Sequence, residues 1–536
     1  MERHSMEHSE VECLSLPLSG AEARVRSDSL SSTGSYGRFV LRQRVAQLMT
    51  CVEDVSSDED IHEELSRSID QAFLICGKLM TSKMQDFRLH IVTWNVGTAL
   101  PPRDVSSLLL LDSSTEKVDM YVIGLQEVNS KIVSFLSDLA FDDPWSLFLM
   151  DILAPLGYVK LSSVRMQGLL LLTFVQHKHI PFVQDIRTSY IRTGLYGYWG
   201  NKGGVTVRMS VYGHMLCFVN CHLPAHMENT NQRLDDFERM LEAQQFDGES
   251  VGSILDHDAV FWFGDLNFRI ADFGIHFIRE VVNGNRYNLL WEKDQLNIAK
   301  KKEQFLQGFL EGPLKFKPTY KFDLNSDVYD TSGKKRKPAW TDRILWRLKA
   351  VSENGPEESI GSAFEHILSV HLDKYTSNMS YGISDHKPVT GSFTLQMKPL
   401  ILEPSVTLKA EGEWNADHDS LISYSVAKDF PSSTWDWIGL YRVGFRHTND
   451  YVTYAWVKDD EISFSKDCSQ VYISADEIPL EGGEFLLCYF CHNLQCLAGI
   501  SEPFQIQPGK TLPAKVGVQD YTDDPAKTDM FMGAGF

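Results

Sequence analysis

The sequence has few of the features that place a chain in a membrane or in an oxidising compartment. No stretch approaches the roughly 18 to 20 apolar residues that a membrane-spanning helix needs, and the first ten residues, MERHSMEHSE, lack the apolar core of a secretory signal. Only 9 of the 536 residues are cysteine, an odd number that argues against a disulfide framework. We therefore expect a cytoplasmic protein, and we expect its longest apolar runs, at 108–111 and 168–175, to form buried strands.

The sequence is also short of positive charge. Lysine and arginine number 51 against 72 aspartates and glutamates, which gives a net charge of −21. A protein that binds the backbone of a nucleic acid normally has the opposite balance. We therefore expect no nucleic-acid partner, and any anionic ligand has to be held by a local basic patch.

What the sequence does contain is enough apolar material for a large folded core. Hydrophobic residues make up 43% and aromatic residues 11% of the chain, which excludes wholesale disorder, and the length favours roughly two to four domains. The periodicity of apolar residues predicts helices at 61–80 and 230–246. By pattern, we expect an acidic, Ser-rich and mostly disordered extension at 1–85, an α/β domain at 86–398, an all-β sandwich at 404–508 and a flexible tail at 509–536.

One short pattern is misleading. The segment Cys488-Tyr-Phe-Cys491-His492 matches the arrangement by which haem is attached, but it lies in a run of apolar, strand-like residues. On a strand, positions 488 and 491 point to opposite faces, so the two thiols would not converge on one ligand. We expect structural thiols here, and neither haem nor metal.

The α/β domain repeats one arrangement, in which polar residues stand at or just past the end of an apolar run. Each of these residues alone has an ordinary explanation as a turn, a cap or a surface group. Strand ends, however, are where an α/β fold holds functional groups rigidly while leaving them accessible, so the repetition indicates one site. The residues at these positions are Asn95, Glu127, His222, Asp265, Asn267, Asp385 and His386.

Two of these residues are candidate metal ligands, and two are candidates for handling water. Glu127 and Asn95 offer the oxygen atoms that Mg²⁺ prefers, and no cluster of cysteine and histidine suits zinc. Asp265 could take a proton from water, and Asn267 could orient that water or the attacked group.

The two histidines are candidates for stabilising negative charge. His222 and His386 could interact with the equatorial oxygens of a phosphoryl group. Adjacent side chains on a strand point apart, so the carboxylate that orients His386 need not be Asp385, and Asp342 is our candidate for it. Together these parts predict metal-assisted hydrolysis of a phosphate ester.

The expected basic patch lies at 315–349. This segment has ten basic residues against four aspartates, a net charge of +6 within a chain of net −21. Alone, its KKRK run could be a solvated or nuclear-localisation-like segment, but Tyr320 and Trp340 are interleaved with the charges and favour a shaped pocket. A second, weaker signal is the Gly-rich segment WGNKGG at 199–204, where the backbone beside Lys202 could approach a phosphate.

Seven ordered segments of the α/β domain resemble the motifs of the inositol polyphosphate 5-phosphatases. The resemblance covers about residues 87–396 and implies the deoxyribonuclease-I-like endonuclease/exonuclease/phosphatase fold, a four-layer sandwich of two β-sheets flanked by helices. It also implies Mg²⁺-dependent removal of the 5-phosphate from phosphoinositides and soluble inositol polyphosphates. The segments are TWN at 93–95, GLQE at 124–127, NKGG at 201–204, NCHL at 220–223, FWFGDLNFR at 261–269, PAWTDRIL at 338–345 and SDHKP at 384–388.

The same resemblance implies a role for each matching residue. The metal would lie on Glu127 with Asn95 close by, and Asp265 would activate water beside Asn267. His222 and His386 would contact the scissile phosphate. A larger set completes the expected site: Asp342 supporting His386, Asp385 in the metal and phosphate shell, Lys202 at the substrate, and Tyr320, Lys321, Lys334 and Arg336 gripping the neighbouring 4-phosphate.

Residues 404–508 resemble the SKICH domain, an immunoglobulin-like β-sandwich module of membrane targeting and protein interaction. The resemblance rests on DFPSSTWDWIGLY at 429–441 and DYVTYAW at 450–456. Two subtypes of the family have this domain order, and the absence of long Pro-rich arms favours the subtype without them. It implies a peripheral protein of the endoplasmic reticulum and ruffling plasma membrane that restrains insulin signalling and actin remodelling, with protein partners on the SKICH domain.

Two other functions are compatible with the same residues. A nuclease or another phosphodiesterase shares this fold and the Asn, Glu, Asp and His set, since a fold does not fix the substrate. A scaffold acting mainly through the sandwich is the second alternative. The acidic balance and the basic segment favour a compact polyphosphate over DNA.

Overall fold

The computed structural model describes most of the chain after residue 82. The expectations for the N-terminal extension up to that residue, including the helix at 61–80, lie outside the described residues, and so does the tail after residue 509. No helix in the described ranges is long and apolar enough to cross a bilayer. The described ranges are 83–112, 117–129, 143–194, 201–246, 252–349, 368–428, 430–457, 462–465 and 468–509.

The α/β part contains two six-stranded sheets. Its strands are β1 (Gln85–Asn95), β2 (Met120–Gln126), β3 (Tyr158–Met166), β4 (Leu169–Gln176), β5 (Val183–Arg192), β6 (Gly203–Val211), β7 (His214–His222), β8 (Ala259–Asp265), β9 (Leu310–Glu311), β10 (Asp342–Leu348), β11 (Leu368–Ser377) and β12 (Val389–Met397). The first sheet has the order β11-β12-β1-β2-β4-β3 and the second the order β5-β6-β7-β8-β10-β9. Most neighbouring strands are antiparallel, but β1 with β2 and β7 with β8 are parallel.

The apolar strands are buried on both faces, which explains their nearly continuous hydrophobic sequences. Between the sheets, Ile91 of β1 and Phe218 and Phe261 of the second sheet belong to one buried cluster. The outer faces have clusters of their own, one around Trp94 and one around Trp262. These layers are the predicted deoxyribonuclease-I-like architecture.

Short helices pack around the sheets. They are α1 (Ser106–Leu109), α2 (Pro144–Leu153), α3 (Thr230–Ala243), α4 (Ile275–Asn283), α5 (Asn288–Trp291) and α6 (Gln295–Lys302), with 3₁₀ turns at Ala154–Leu156, His177–Phe182, Ile254–Asp256, Gln304–Leu306 and Ala475–Glu477. The predicted helix at 230–246 is therefore confirmed over most of its length, and it buries Phe237 and Leu241 against the second sheet.

The predicted strand at 108–111 is wrong. Leu108 and Leu109 belong to the single turn of α1 and pack into the outer cluster of the first sheet, and Leu110 then takes a left-handed conformation with φ of 57°. A run of four apolar residues is compatible with either a buried strand or a buried helical turn, so its composition could not decide between them. The run at 168–175, by contrast, does form β4.

The regular elements in the described residues of the C-terminal part are strands, apart from one 3₁₀ turn. They are β13 (Val406–Glu411), β14 (Trp414–Asn415), β15 (Ser420–Val426), β16 (Trp437–Arg442), β17 (Tyr451–Trp456), β18 (Ile462–Ser465), β19 (Cys468–Ile473), β20 (Gly483–Cys491), β21 (Cys496–Ile500) and β22 (Phe504–Gln507). One sheet has the order β13-β15-β19-β18 and the other the order β14-β22-β20-β16-β17, with β21 also on β20. The expected all-β sandwich is thus present. Cys488 and Cys491 lie buried on β20, and burial raises the pKa of the Cys491 thiol to about 12.

The sandwich is docked on the α/β part through backbone contacts. Lys160 N–H of β3 donates to the Arg446 carbonyl over 2.8 Å, and Ile186 N–H of β5 donates to the Leu494 carbonyl over 3.2 Å. The Arg187 guanidinium also donates to the Asn493 carbonyl. Buried residues of both parts belong to one apolar cluster, so the two parts share a hydrophobic interface.

Candidate active site

Two pairs of parallel strands bring the predicted residues to one edge of the sheets. Asn95 lies opposite Gln126 at the ends of β1 and β2, and His222 lies opposite Asp265 at the ends of β7 and β8. Parallel strands end on the same side of a sheet, so each pair delivers its polar side chains to the same place. The Asn95 amide nitrogen donates to Asp265 Oδ2 over 3.1 Å, which joins the two sheets at this edge.

Asp265 is the centre of the site. It is fully buried, and its Oδ2 lies 3.1 Å from His222 Nε2 and 3.9 Å from His386 Nε2. Burial alone would raise the pKa of Asp265, but the positive charges of His386, His222 and Lys202 outweigh burial and hold the pKa well below its usual range. Asp265 is therefore an anion held between two imidazoles.

His386 and Asp342 form a buried pair. The His386 ring reaches the carboxylate of Asp342 through Nδ1, at 2.9 Å from Oδ2 and 3.1 Å from Oδ1. Burial alone would lower the pKa of His386. The carboxylates of Asp342 and Asp265 outweigh this effect and raise the pKa above its usual value, to about 9. His386 is therefore a cation at neutral pH, with its Nε2 facing Asp265.

Asn267 shapes the loop that follows Asp265. Its backbone is left-handed, with φ of 57°, a conformation that asparagine tolerates better than most residues. Its side-chain amide donates to the Leu223 carbonyl over 3.1 Å, and its Oδ1 accepts a hydrogen bond from Arg269. Both the nitrogen and the oxygen of this amide are thus engaged with the protein.

Glu127 lies beside His222 at the solvent-accessible side of the site. The Glu127 side chain is 42% exposed, and its Oε1 lies 3.9 Å from His222 Nε2. The Glu127 backbone is left-handed, with φ of 54°, and its carbonyl accepts a hydrogen bond from Thr98 N–H, so the turn after β2 lies against the turn after β1 that carries Asn95. An exposed carboxylate next to a buried anionic site suits a hard cation such as Mg²⁺, whereas Asn95 Oδ1 accepts a hydrogen bond from Gly97 N–H over 3.1 Å.

A second group of possible metal ligands consists of Asp265, Asp342 and His386, whose ligand atoms lie within 4.8 Å of one another. Asp342 is less suited to a metal than Glu127, because its Oδ2 already accepts hydrogen bonds from two threonine hydroxyls as well as contacting His386. The side that carries Glu127 and Asn95 is therefore the better candidate for a metal site.

A basic pocket of about 270 Å³ lies next to these residues. The Tyr320 ring forms its inner wall, with its centroid 4.5 Å from that of the His386 ring and 4.5 Å from the Arg269 guanidinium carbon. The other side chains that line the pocket are Ala225, His226, Met227, Arg269, Lys334, Lys335, Arg336 and Lys337. The KKRK run therefore lines a shaped pocket, as the interleaved aromatic residues predicted.

Three predicted residues contact the site from other directions. Lys321 forms an ion pair with Asp385, and neither residue lines the basic pocket. Lys202 lies against Nε2 of His222, and burial lowers the pKa of its ammonium group although Asp265 and Glu127 oppose that shift. Lys202 therefore lies beside the His222 imidazole, and Asp385 is paired with Lys321.

The basic segment is not uniformly a ligand surface. Arg343 is fully buried, and its guanidinium forms ion pairs with Asp294 at 2.9 Å and Glu311 at 2.6 Å. Its charge therefore holds β10 to α6 and β9, and it contributes nothing to an exposed patch. Counting charges along the sequence included a structural arginine, because composition alone does not show which side chains are buried.

Several residues of the site were not predicted. Arg269 ends the FWFGDLNFR motif and contacts both Asn267 and Tyr320. Thr319 and Thr341 donate hydrogen bonds to Asp342 over 2.6 and 2.8 Å. Their positions in the sequence could have indicated them, since each of these three residues adjoins or lies within a segment already assigned to the site.

Family models match both parts of the chain. The model of the Endonuclease/Exonuclease/phosphatase family 2 matches residues 92–392, and the model of the SKICH domain matches residues 406–506. Together they cover the α/β part and the sandwich.

Curated proteins and a solved structure agree with these matches. The chain is 54% identical over 419 residues to inositol polyphosphate 5-phosphatase K of Mus musculus, covering 78% of this chain and 89% of that protein. It is 50% identical over 439 residues to phosphatidylinositol 4,5-bisphosphate 5-phosphatase A of Homo sapiens, covering 82% of this chain but 43% of that longer protein. The inositol polyphosphate 5-phosphatase domain of SPsynaptojanin, crystallised with inositol (1,4)-bisphosphate and a calcium ion, matches with a TM-score of 0.51 and 27% identity, covering 63% of this chain and 91% of that one.

Proposed function

Because the chain belongs to the inositol polyphosphate 5-phosphatase family, we propose that it removes the 5-phosphate from phosphoinositides and from soluble inositol polyphosphates, with Mg²⁺ as its cofactor. The lipid substrates are phosphatidylinositol 4,5-bisphosphate and the 3,4,5-trisphosphate. The observation that carries the proposal is the Asp265 carboxylate between two imidazoles, directly beside a compact basic pocket.

The protein groups divide the hydrolysis between them. A water oxygen attacks phosphorus while Asp265 accepts a proton from the water. The bond from phosphorus to the inositol oxygen breaks, and that oxygen takes up a proton from solvent and leaves as a hydroxyl group. The low pKa of Asp265 makes it a weak base in the resting site, so proton transfer has to accompany attack. His386, cationic at neutral pH, and His222 offset the negative charge on the phosphoryl oxygens.

Glu127 and Asn95, with Asp265 behind them, are the residues that would hold Mg²⁺. When bound, the cation would supply Lewis-acid stabilisation of negative charge on the phosphate. The support for this assignment is the exposed carboxylate of Glu127, whose Oε1 lies 3.9 Å from His222 Nε2, and the Asn95 amide, which is hydrogen-bonded to Asp265. The related SPsynaptojanin domain was crystallised with a calcium ion, another cation that prefers oxygen ligands.

The basic pocket would hold the phosphate next to the one that reacts. Lys334 and Arg336 line this pocket together with Tyr320, whose ring also contacts His386. A phosphate in the pocket would therefore lie close to the reacting phosphate. A pocket of this size suits a compact polyphosphate better than a nucleic-acid strand, which needs an extended basic track.

A substrate panel tests the proposal. Phosphate release is measured with short-chain phosphatidylinositol 4,5-bisphosphate, the 3,4,5-trisphosphate and inositol 1,4,5-trisphosphate, each with Mg²⁺ and with EDTA, beside nicking of plasmid DNA. We expect release from all three substrates with Mg²⁺, none with EDTA, and intact plasmid. Nicked plasmid without phosphate release would favour a nuclease instead.

We further propose that the protein acts at membrane surfaces, peripherally on the endoplasmic reticulum and plasma-membrane ruffles, and there restrains insulin signalling and actin remodelling. The support is the match to the SKICH domain. The net charge of −21 gives the chain no general attraction to an acidic bilayer, so a specific module would have to provide the binding. Recruitment, including any protein partner, would then depend on the sandwich. Co-sedimentation of the full chain with liposomes tests the membrane association, and an absence of binding would contradict it.

A further inference from the structure

Residues 319–321 run between the two segments that carry the His386–Asp342 pair. On one side, Lys387 N–H donates to the Thr319 carbonyl over 3.0 Å. On the other side, Ala339 N–H donates to the Tyr320 carbonyl over 2.9 Å. Isolated bridges join Tyr320 to both His386 and Ala339. This short extended segment is therefore fixed from both sides by backbone hydrogen bonds.

The three side chains of this segment each contact a different group of the site. The Thr319 hydroxyl donates to Asp342, the Tyr320 ring lies against the His386 ring, and Lys321 pairs with Asp385. Tyr320 faces the basic pocket, but Thr319 is fully buried and does not line it. Thr319 therefore acts on the protein and not on a bound substrate.

The hydrogen bond from Thr319 bears on the orientation of His386. It is 2.6 Å long and ends on Oδ2 of Asp342, the same atom that lies 2.9 Å from His386 Nδ1. Thr341 donates to this atom as well, over 2.8 Å. Because both hydroxyls belong to residues whose backbone is held in place, they favour one orientation of the Asp342 carboxylate. That carboxylate in turn sets the orientation of the His386 ring.

We propose that Thr319 is a positioning residue of the phosphatase reaction, acting through Asp342 to hold His386 at the reacting phosphate. The inference rests on the proposed function and deepens it. The orientation of the imidazole is then set by the same short segment whose next residue, Tyr320, forms the wall of the basic pocket. Outer hydrogen bonds of this kind fix the direction of an acting side chain and matter for rate more than for binding.

The test compares Thr319→Val, which keeps the shape and removes the hydroxyl, with Thr319→Ser, which keeps the hydroxyl. The substrate is inositol 1,4,5-trisphosphate with Mg²⁺, and kcat, KM and the melting temperature are measured for each variant. Thr173→Val is the matched control, because Thr173 is also fully buried and, within the described structure, its hydroxyl has no hydrogen-bond partner. The same Thr319→Val change is then made in an Asp342→Asn background.

We expect Thr319→Val to lower kcat about 10- to 100-fold with KM within about threefold of the wild type. Thr319→Ser and Thr173→Val should keep kcat within about threefold. If Thr319 acts through Asp342, its loss should change kcat less than about threefold once Asp342 is already replaced.

Three results would overturn the inference while leaving the proposed function intact. They are a wild-type kcat for Thr319→Val, an equal loss in Thr319→Ser, and losses that multiply in the double variant. If Thr319→Val does not fold, Thr319→Ser still tests the inference, because the inference requires the serine variant to keep the wild-type kcat. No phosphate release by the wild-type chain would instead overturn the proposed function, and this inference with it.

Discussion

At the scale of single residues, the proposed reaction depends on a buried carboxylate that lies between two imidazoles and near a lysine. Asp265 lies against His222 and near His386, and its pKa is held below the usual range by these charges. An anion in this position can orient a water molecule and take its proton as attack proceeds. No other described carboxylate contacts both imidazoles.

Replacing Asp265 should abolish turnover while leaving the fold intact. We expect Asp265→Ala to lower kcat by at least about a thousandfold, because the change removes the proton acceptor and little core volume. Asp265→Asn should lose turnover as well, although it keeps the shape of the side chain. Phosphate release and circular dichroism measure the two properties.

The matched control is Asp272→Ala. Asp272 is exposed and forms a surface ion pair with Lys293, which contributes little to stability. Its activity should stay within about twofold of the wild type. Near-normal activity in a folded Asp265 variant would refute the role given to this residue.

Residues of the basic pocket should affect binding more than rate. Replacing Lys334 and Arg336 together by alanine should raise KM about tenfold or more with kcat within about threefold, because they would hold a phosphate that does not react. Replacing the exposed Lys301 and Lys302 of α6 removes the same charge outside the pocket. Initial rates with inositol 1,4,5-trisphosphate compare both double variants, and an unchanged KM in the first would move the neighbouring-phosphate site elsewhere.

At the scale of helices and strands, α3 carries a carboxylate whose ionisation opposes folding. Asp236 is buried on the side of α3 that faces Thr193, whose hydroxyl donates to it over 2.7 Å. Burial raises the pKa of Asp236 from 3.8 to about 6 in the folded chain. The folded state then binds more protons than the unfolded state between these two values, so this residue lowers stability as the pH rises through that window.

Asp236→Asn should remove this pH dependence, because an amide oxygen can still accept the hydrogen bond from Thr193. Relative to the wild type, the variant should gain up to about 3 kcal/mol of unfolding free energy between pH 4 and pH 7.5. Urea denaturation of both chains across that range measures the difference. A difference that does not vary with pH would show that Asp236 has no raised pKa.

The strands were more predictable than the contacts they bring about. Apolar runs that end in Asn95, His222 and Asp265 were expected to be strands, and they end at these residues in the structure. The relative direction of neighbouring strands, however, depends on the whole sheet, so a local sequence pattern does not predict it. The run at 108–111 shows the same limit, since the fold decided between strand and helix.

The site was predictable where a residue type implied its chemistry, and unpredictable where it acts through another residue. A histidine or an aspartate at a strand end suggests a reaction on its own. Thr319 does not, because its significance comes from a hydroxyl directed at Asp342, which lies 23 residues away in sequence. Arg343 shows the converse, since its charge suggested a ligand surface and its burial gave it a structural role.

At the scale of the whole molecule, the average charge conceals how the ligand site is built. The chain has a net charge of −21, yet Lys334, Lys335, Arg336 and Lys337 all line one small pocket. A local concentration of positive charge can hold a compact polyanion although the average is negative. The acidic remainder disfavours extended polyanions such as DNA.

The two parts of the molecule should also unfold as coupled units. Leu494 is buried at the turn between β20 and β21 where the sandwich meets β5, and it belongs to the apolar cluster common to both parts. Leu494→Ala should therefore destabilise the chain by about 2 to 4 kcal/mol, while the half-exposed Leu480→Ala costs less than about 0.5 kcal/mol. Thermal unfolding of the two variants, with residual phosphatase activity measured in parallel, tests these values. If Leu494→Ala unfolds the sandwich while the activity keeps its resistance to heat, the two parts are not coupled.

The central claim is that this chain removes the 5-phosphate, and the identity of the product tests it most directly. Inositol 1,4,5-trisphosphate is incubated with the wild-type chain and with Asp265→Ala in the presence of Mg²⁺, and the bisphosphate formed is identified by phosphorus NMR. The wild type should form inositol 1,4-bisphosphate, and the variant should leave the substrate unchanged. Formation of the 1,5- or the 4,5-bisphosphate, or of any bisphosphate by Asp265→Ala at the wild-type rate, would contradict it.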